Sequence, residues 1–197
     1  MAQLLPGQMQ ALGEPGAKAG FFAPISPKLT DVHVRVAELH PNLVAKINDS
    51  VSPLVVKNGT CIARDKTDKN VGSLLGSRFK IVTTAASNNW EVTVANSLDG
   101  IFPVFTSSYA PDAAAAGKMS YIAYPMMVAQ TDAVNSGYSA PAIGDLLLPG
   151  ADGLLITAGA TATNAIGKVI AVQLSYPVVS GATVTLLTVM YRGPWIF

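Results

Sequence analysis

Charge is what this chain lacks most: of its 197 residues only 13% are charged, against about 25% in an average soluble domain. A soluble monomer uses charged groups to cover its surface. The deficit therefore fits either a surface covered by other protein or a neutral β surface rich in Ser, Thr, Ala and Gly. The net charge is +1, and the longest basic stretch is the mixed loop Arg64-Asp65-Lys66-Thr67-Asp68-Lys69. Nucleic-acid binding requires a clustered phosphate-neutralising surface, so no nucleic-acid partner is expected. The single cysteine, Cys61, excludes an intrachain disulfide and cannot build a thiolate metal site alone. Its neighbours Thr60, Ile62 and Ala63 read as strand, which points to a packed thiol. No run approaches about 18 uninterrupted apolar residues, so no transmembrane helix and no membrane partner are expected. The start, MAQLLPGQMQALGEPGAKAG, lacks the basic head and continuous apolar core of a signal peptide, and the expectation is a protein that is not secreted.

Residues suited to catalysis are equally sparse. The two histidines, His33 and His40, lie seven apart on or near one strand, which puts them on opposite faces and makes them poor joint metal ligands. Most carboxylates sit in turn contexts, where Asp bonds nearby backbone N–H groups. Asp145 and Asp152 straddle one turn, but their spacing does not match a calcium loop of alternating oxygen ligands. There is no G-x-S-x-G elbow, no phosphate loop with its lysine and no H-E-x-x-H. The reading is therefore not an enzyme, with no catalytic residue, metal, cofactor or small-molecule substrate. A paired-carboxylate glycosidase or a carbohydrate-binding module would need an aromatic platform, for which the chain offers Trp90 and Trp195.

What the chain has is apolar content, half of all residues, unevenly mixed with its charges. Residues 31–80 hold 13 charged side chains and residues 119–197 only five, Asp132, Asp145, Asp152, Lys168 and Arg192. The C-terminal part is thus the stronger candidate for burial in a core or an interface. Residues 1–30 carry a proline or glycine every few positions, which forbids a long helix or strand. Yet Leu4, Leu5, Met9, Leu12, Phe21, Phe22 and Ile25 are too apolar for a floating linker. An extended arm lying on another surface satisfies both observations, and these residues are the expected partner interface.

From residue 31 the pattern is β. DVHVRVAEL alternates, placing Val32, Val34 and Val36 on one face. Asn58-Gly59 and Asp99-Gly100 each separate β-prone runs and predict tight turns; so does Asp152-Gly153 inside GDLLLPGADGLLI, where Pro149 and Gly150 reverse the chain and Asp145 is expected to cap the turn. AIGKVIAVQLSY and TVTLLTVMYRG form a terminal pair, and a phase slip in the second predicts a bulge near Leu187. Helix is limited to short turns at 70–79 and 110–119. The fold class is all-β, a sandwich or barrel with little helix: an arm over 1–30 and a β domain over 31–197, single or split into lobes of about 31–110 and 119–197. The end, MYRGPWIF, is aromatic at three of its last seven residues in Tyr191, Trp195 and Phe197. Trp195, Ile196 and Phe197 either close the core or dock on a neighbour.

The segment AIGDLLLPGADGLLITAG, followed by AIGKVIAVQLSY and ATVTLLTVMYRG, resembles the C-terminal half of tailed-bacteriophage capsid decoration (cement) proteins over Ala142 to Arg192. There a Gly-Asp…Gly-Ala-Asp-Gly strand–turn–strand precedes an IGKVIAV-type strand and a closing strand rich in Val, Leu and Thr. The resemblance implies a structural virion protein, made in the host cytoplasm, that binds the outer surface of the capsid as a homotrimer. Its partners would be the major capsid protein and itself, with an N-terminal arm bridging capsid subunits. Another virion β-protein, such as a head-fibre, tail or adaptor component, is the alternative, with the carbohydrate-binding sandwich behind it.

Overall fold

The computed structural model describes residues 20–26, 34–68, 78–105, 117–123, 126–177 and 183–192. The fold is all-β, with little helix. In chain order the elements are β1 (Phe22–Ser26), β2 (Val34–Glu38), a short helix α1 (Pro41–Ile47), β3 (Cys61–Asp65), β4 (Phe79–Thr83), β5 (Glu91–Thr93), β6 (Ser97–Pro103), β7 (Lys118–Ile122), β8 (Met126–Thr131), β9 (Leu146–Pro149), β10 (Leu155–Ile156), β11 (Gly167–Pro177) and β12 (Thr183–Arg192). A six-stranded sheet runs in the order β1-β8-β12-β11-β9-β10, a four-stranded sheet in the order β5-β4-β3-β6, and β2 pairs with β7. All pairings are antiparallel except β4 with β5.

The organising strand is β3. Cys61 and Ala63 point into a core made with the six-stranded sheet, against Phe22, Ala129, Leu147, Leu155, Val169, Leu187 and Val189. Ile62 points the other way, into a second core with Leu39, Leu43, Phe79, Ile81, Phe102 and Tyr121. Period-two alternation thus makes β3 a wall shared by two cores. Both faces being dry explains why this strand is apolar or small at Cys61, Ile62 and Ala63. In the second core the rings of Phe79, Phe102 and Tyr121 lie tilted, with Tyr121 4.9 and 5.0 Å from the other two.

The structure corrects several expectations. Residues 22–26 are not part of a separate arm: β1 pairs with β8, from Phe22 opposite Thr131 to Ser26 opposite Val128. A division near residue 119 does not hold either, because β7 pairs with β2. Asn58-Gly59 makes a turn but no hairpin: residues 53–57 are irregular, and β3 pairs with β4 and β6 instead. Asp99-Gly100 lies within β6, where the register against β3 shifts between Ile62 and Arg64. Gly100, at φ +114°, therefore absorbs a bulge rather than ending a strand. In the β11–β12 pair the extra residues fall on β11, between Val169 and Ala171 and between Gln173 and Tyr176, so the slip read near Leu187 belongs to its partner. On β2 Val36 is exposed while Val34 is half-buried against the first core, and Ala37 and Leu39 on the other face are buried. Of the expected short helices, most residues lie outside the described ones, and Phe79, Lys118 and Met119 are in strands.

Candidate functional site

The segment Gly144–Ile156 folds as a strand–turn–strand, with Leu155 opposite Pro149 and Ile156 opposite Leu148. The turn is a 3-10 turn at Ala151–Gly153, closed by the Gly150 N–H donating to Leu154 O at 2.7 Å. Asp152 (φ +56°) and Gly153 (φ +72°) both adopt left-handed backbone, which Asp tolerates and Gly favours. Gly153 is also pressed against the other sheet: a Cβ there would lie 2.8 Å from Cys61 O and 3.0 Å from Ile81 Cγ2. The turn is thus a dowel between sheets. Asp145 caps the neighbouring loop, its Oδ2 accepting from Tyr138 Oη at 2.5 Å and from the Ala142 N–H at 2.8 Å. Burial, together with that carboxylate, raises the Tyr138 phenol well above its ordinary range, so it donates rather than ionises. Asp145 and Asp152 do not converge on one point: the first bonds Tyr138 and Ala142 while the second is exposed on the turn.

Asn58 and Gly59 do comparable work. Both are buried, and a Cβ on Gly59 (φ +86°) would meet Thr131 Oγ1 at 2.5 Å and Ala133 Cβ at 2.8 Å. A loop attached to β3 is thereby seated on β8. Cys61 is buried in the same region, its thiol pushed up to about 12 by desolvation, which suits a packed group and not a nucleophile.

The densest set of charges surrounds the entry to α1. His40 is the N-cap: its Nδ1 accepts from the Asn42 N–H at 3.1 Å, and Pro41 occupies the first turn, where its missing N–H is harmless. Asp68 Oδ2 lies 3.8 Å from His40 Nε2 and 3.6 Å from Arg78 Nε. Asp65 bonds Lys80 Nζ at 2.9 Å and the Thr67 hydroxyl at 2.6 Å. Burial pushes the Asp65 carboxyl up, but the bonds from Thr67 and Lys80 outweigh it and the net shift is downward. Burial, with Lys80 and Arg78 nearby, holds His40 below its ordinary value. Each of these groups has a structural partner. Sequence reading missed the arrangement, although Pro41 followed by Leu43, Val44 and Ile47 is a helical signal. Among the described residues no three His, Cys, Asp or Glu side chains gather in a way that would hold a metal ion. An open cleft of about 340 Å³ is lined by Lys46, Ser52, Leu54, Lys57, Asp152 and Leu154.

The expected partner-interface residues divide sharply. Phe21 and Phe22 are buried, Phe22 completely, in ring contact with Phe105 and Tyr191; they are core, which corrects their reading as interface. The reason is pairing: as soon as β1 joins β8, Phe22 points inward. Ile25 is 50% exposed on the same strand. Leu4, Leu5, Met9, Leu12, Trp195, Ile196 and Phe197 lie outside the described residues, as do His33 and the side chain of Asp99. Trp90 is half-buried against the second core with Lys46 Nζ 5.6 Å from its ring centroid, so it is no open platform. Compared with known proteins, the chain matches no family model, no curated protein and no solved structure at a significant level.

Proposed function

We propose that this chain is a structural virion protein that binds the outer surface of a viral capsid and stabilises the shell by clamping neighbouring capsid subunits, acting as a homotrimer. The observation that carries the reading is how Ala142–Arg192 is used. The segment that resembles capsid decoration proteins supplies four strands of the large sheet, β9 to β12, and its turn docks that sheet on β3 and β4. The charged groups inside the fold serve caps and turns, as at His40, Asp65 and Asp145. The surface, by contrast, leaves large apolar side chains outside, among them Val51, Ile143 and Leu174. A shell contact that buries such groups gains about 25 cal/mol per Å² of apolar area before association entropy is subtracted. The protein is then expected on the virion exterior, after synthesis in the host cytoplasm, with the major capsid protein as partner.

The test is co-sedimentation of the purified chain with empty shells of the virus that encodes it. Saturable binding, and shells that survive heating or chelation better with the protein than without it, support the reading. Shells that bind none of it refute decoration. Labelling confined to one vertex would transfer the chain to the portal, tail or fibre.

A further inference from the structure

Asn58-Gly59 has a place in the fold but no part in the function proposed above, and it is the only Asn-Gly pair in the chain. Asn followed by Gly is the dipeptide most prone to spontaneous deamidation, because glycine leaves its own nitrogen sterically open. That nitrogen, Gly59 N, attacks the side-chain carbonyl carbon of Asn58. A new C–N bond closes a five-membered succinimide, the Cγ–Nδ2 bond breaks, and the amide proton leaves with Nδ2 as ammonia. Water then opens the ring at either carbonyl, which leaves aspartate or isoaspartate at position 58. Water is the co-reactant, and no oxidant or reductant takes part.

The native fold withholds what that step requires. Asn58 and Thr60 are each 1% exposed, so little water reaches the turn. The attacking nitrogen is occupied: the Gly59 N–H donates to Val104 O at 2.8 Å, and the Val104 N–H donates to Thr60 O at 2.8 Å. Gly59, at φ +86°, sits in a turn closed by the Thr60 N–H donating to Lys57 O at 3.1 Å. That is the type II arrangement with Asn58 at the first corner, where ψ is about +120° and the next nitrogen is carried away from the side chain it must reach. Rotating the turn toward attack needs space that is absent. Even one carbon added to Gly59 would lie 2.5 Å from Thr131 Oγ1, 2.8 Å from Ala133 Cβ and 3.1 Å from Phe22 Cδ2. The reaction therefore requires the turn to leave its seat on β8 and Phe22.

The product fits the seat no better. Aspartate places a carboxylate where Asn58 is buried, at a desolvation cost the amide does not carry. Isoaspartate adds a methylene to the backbone beside Gly59, where the neighbouring atoms leave no room. We propose that Asn58-Gly59 is a conditional deamidation site. The native fold holds it inert, and each opening of the 57–60 turn exposes it to a one-way conversion after which the turn no longer seats. Guarded reactant and rejected product together make the turn an irreversible record of opening. When reclosure is fast, the rate in the folded chain equals the unfolded rate multiplied by the open fraction. The proposal stands independently of shell binding.

The test is peptide mapping of the full chain by mass spectrometry after incubation at neutral pH, both natively and in urea strong enough to unfold it. Deamidation at Asn58 is expected to be at least about 100-fold slower in the native chain than in the unfolded one. Phe22→Ala, which removes the ring lying on Gly59, is expected to raise the native rate at least about tenfold, whether it loosens the turn alone or the whole fold. Asn58→Asp, the product made directly, is expected to melt at a lower temperature than the wild type or not to fold at all. Equal rates in the native and unfolded chain overturn the proposal, as does a native rate that Phe22→Ala leaves unchanged. An Asn58→Asp chain with the wild-type melting temperature overturns the one-way conversion.

Discussion

Replacing Gly153 by Ala separates two physical effects that usually arrive together. Its backbone sits at φ +72°, where an L-residue costs roughly 1–2 kcal/mol. Its missing side chain also makes room for the facing sheet: a Cβ would lie 2.8 Å from Cys61 O, 2.9 Å from Thr60 Cγ2 and 3.0 Å from Ile81 Cγ2. The first contact is with backbone and the others with packed side chains, so relief requires the two sheets to part, at roughly 1–3 kcal/mol for overpacking. The total is roughly 2–5 kcal/mol. Gly159 supplies the matched control, since its φ is +77° with nothing within 4 Å of a Cβ. Gly159→Ala should therefore carry the backbone part alone. At roughly 2–4 °C per kcal/mol for a chain of this size, Gly153→Ala lowers Tm by roughly 4–20 °C and Gly159→Ala by roughly 2–8 °C. Paired urea titrations with equal m-values give the difference between the two variants, which is the packing component. If Gly153→Ala proves no more destabilising than Gly159→Ala, the turn is not wedged between the sheets and the account of the fold fails at its central joint.

Phe22→Ala should cost about 3–5 kcal/mol, as expected for a buried aromatic; a loss below 1 kcal/mol in urea unfolding would return β1 to the status of a loose arm. Tyr138→Phe should cost about 1–2 kcal/mol, and Asp145→Ala more, because it leaves the Tyr138 hydroxyl and the Ala142 N–H unpaired; equal losses in a double-mutant cycle would refute the cap. His40 should make stability pH-dependent. Its folded pKa lies below the ordinary value, so the unfolded chain takes up the proton first as pH falls through about 6.5, and stability is lost from there down through the folded pKa. Above that window both states are neutral and stability is complete. His40→Asn, which keeps a capping acceptor, should flatten the urea midpoint between about pH 5 and 7.5, and an unchanged slope would clear His40. Cys61 should react with a thiol reagent only at the rate of unfolding, and fast labelling of the native protein would contradict its burial.

How much was legible in the sequence follows from whether the deciding interaction was local. The Asp152-Gly153 turn was readable because φ > 0 is written into those residue types. The β11–β12 pair was readable because two long β-prone runs lie close together in the chain. Asn58-Gly59 carries the same turn signal, yet makes no hairpin. Its role is set by Thr131 and Ala133, more than seventy residues away, which leave room only for glycine. Phe22 was misplaced for a similar reason: prolines and glycines around it argue against regular structure, but pairing with Met126–Thr131 overrides that local preference. For α1 the cap is a histidine, outside the usual Ser, Thr, Asp and Asn set, and the helix has only seven residues, about two turns.

The shared wall gives the low charge content a cause beyond the surface. A strand buried on both faces, such as β3, has no outward positions on which to place charge over Cys61–Ala63. Two cores meeting at one strand therefore consume apolar residues faster than a simple sandwich of the same length. That accounts for part of the chain's composition without any partner. It does not account for the run between Lys168 and Arg192, in which Ala171 to Pro177 are exposed or half-exposed and equally uncharged. If interior demand alone set the composition, exposed positions such as Gln173, Leu174 and Ser175 would be free to carry Lys or Glu. Their neutrality is thus a property of the surface and not of the interior.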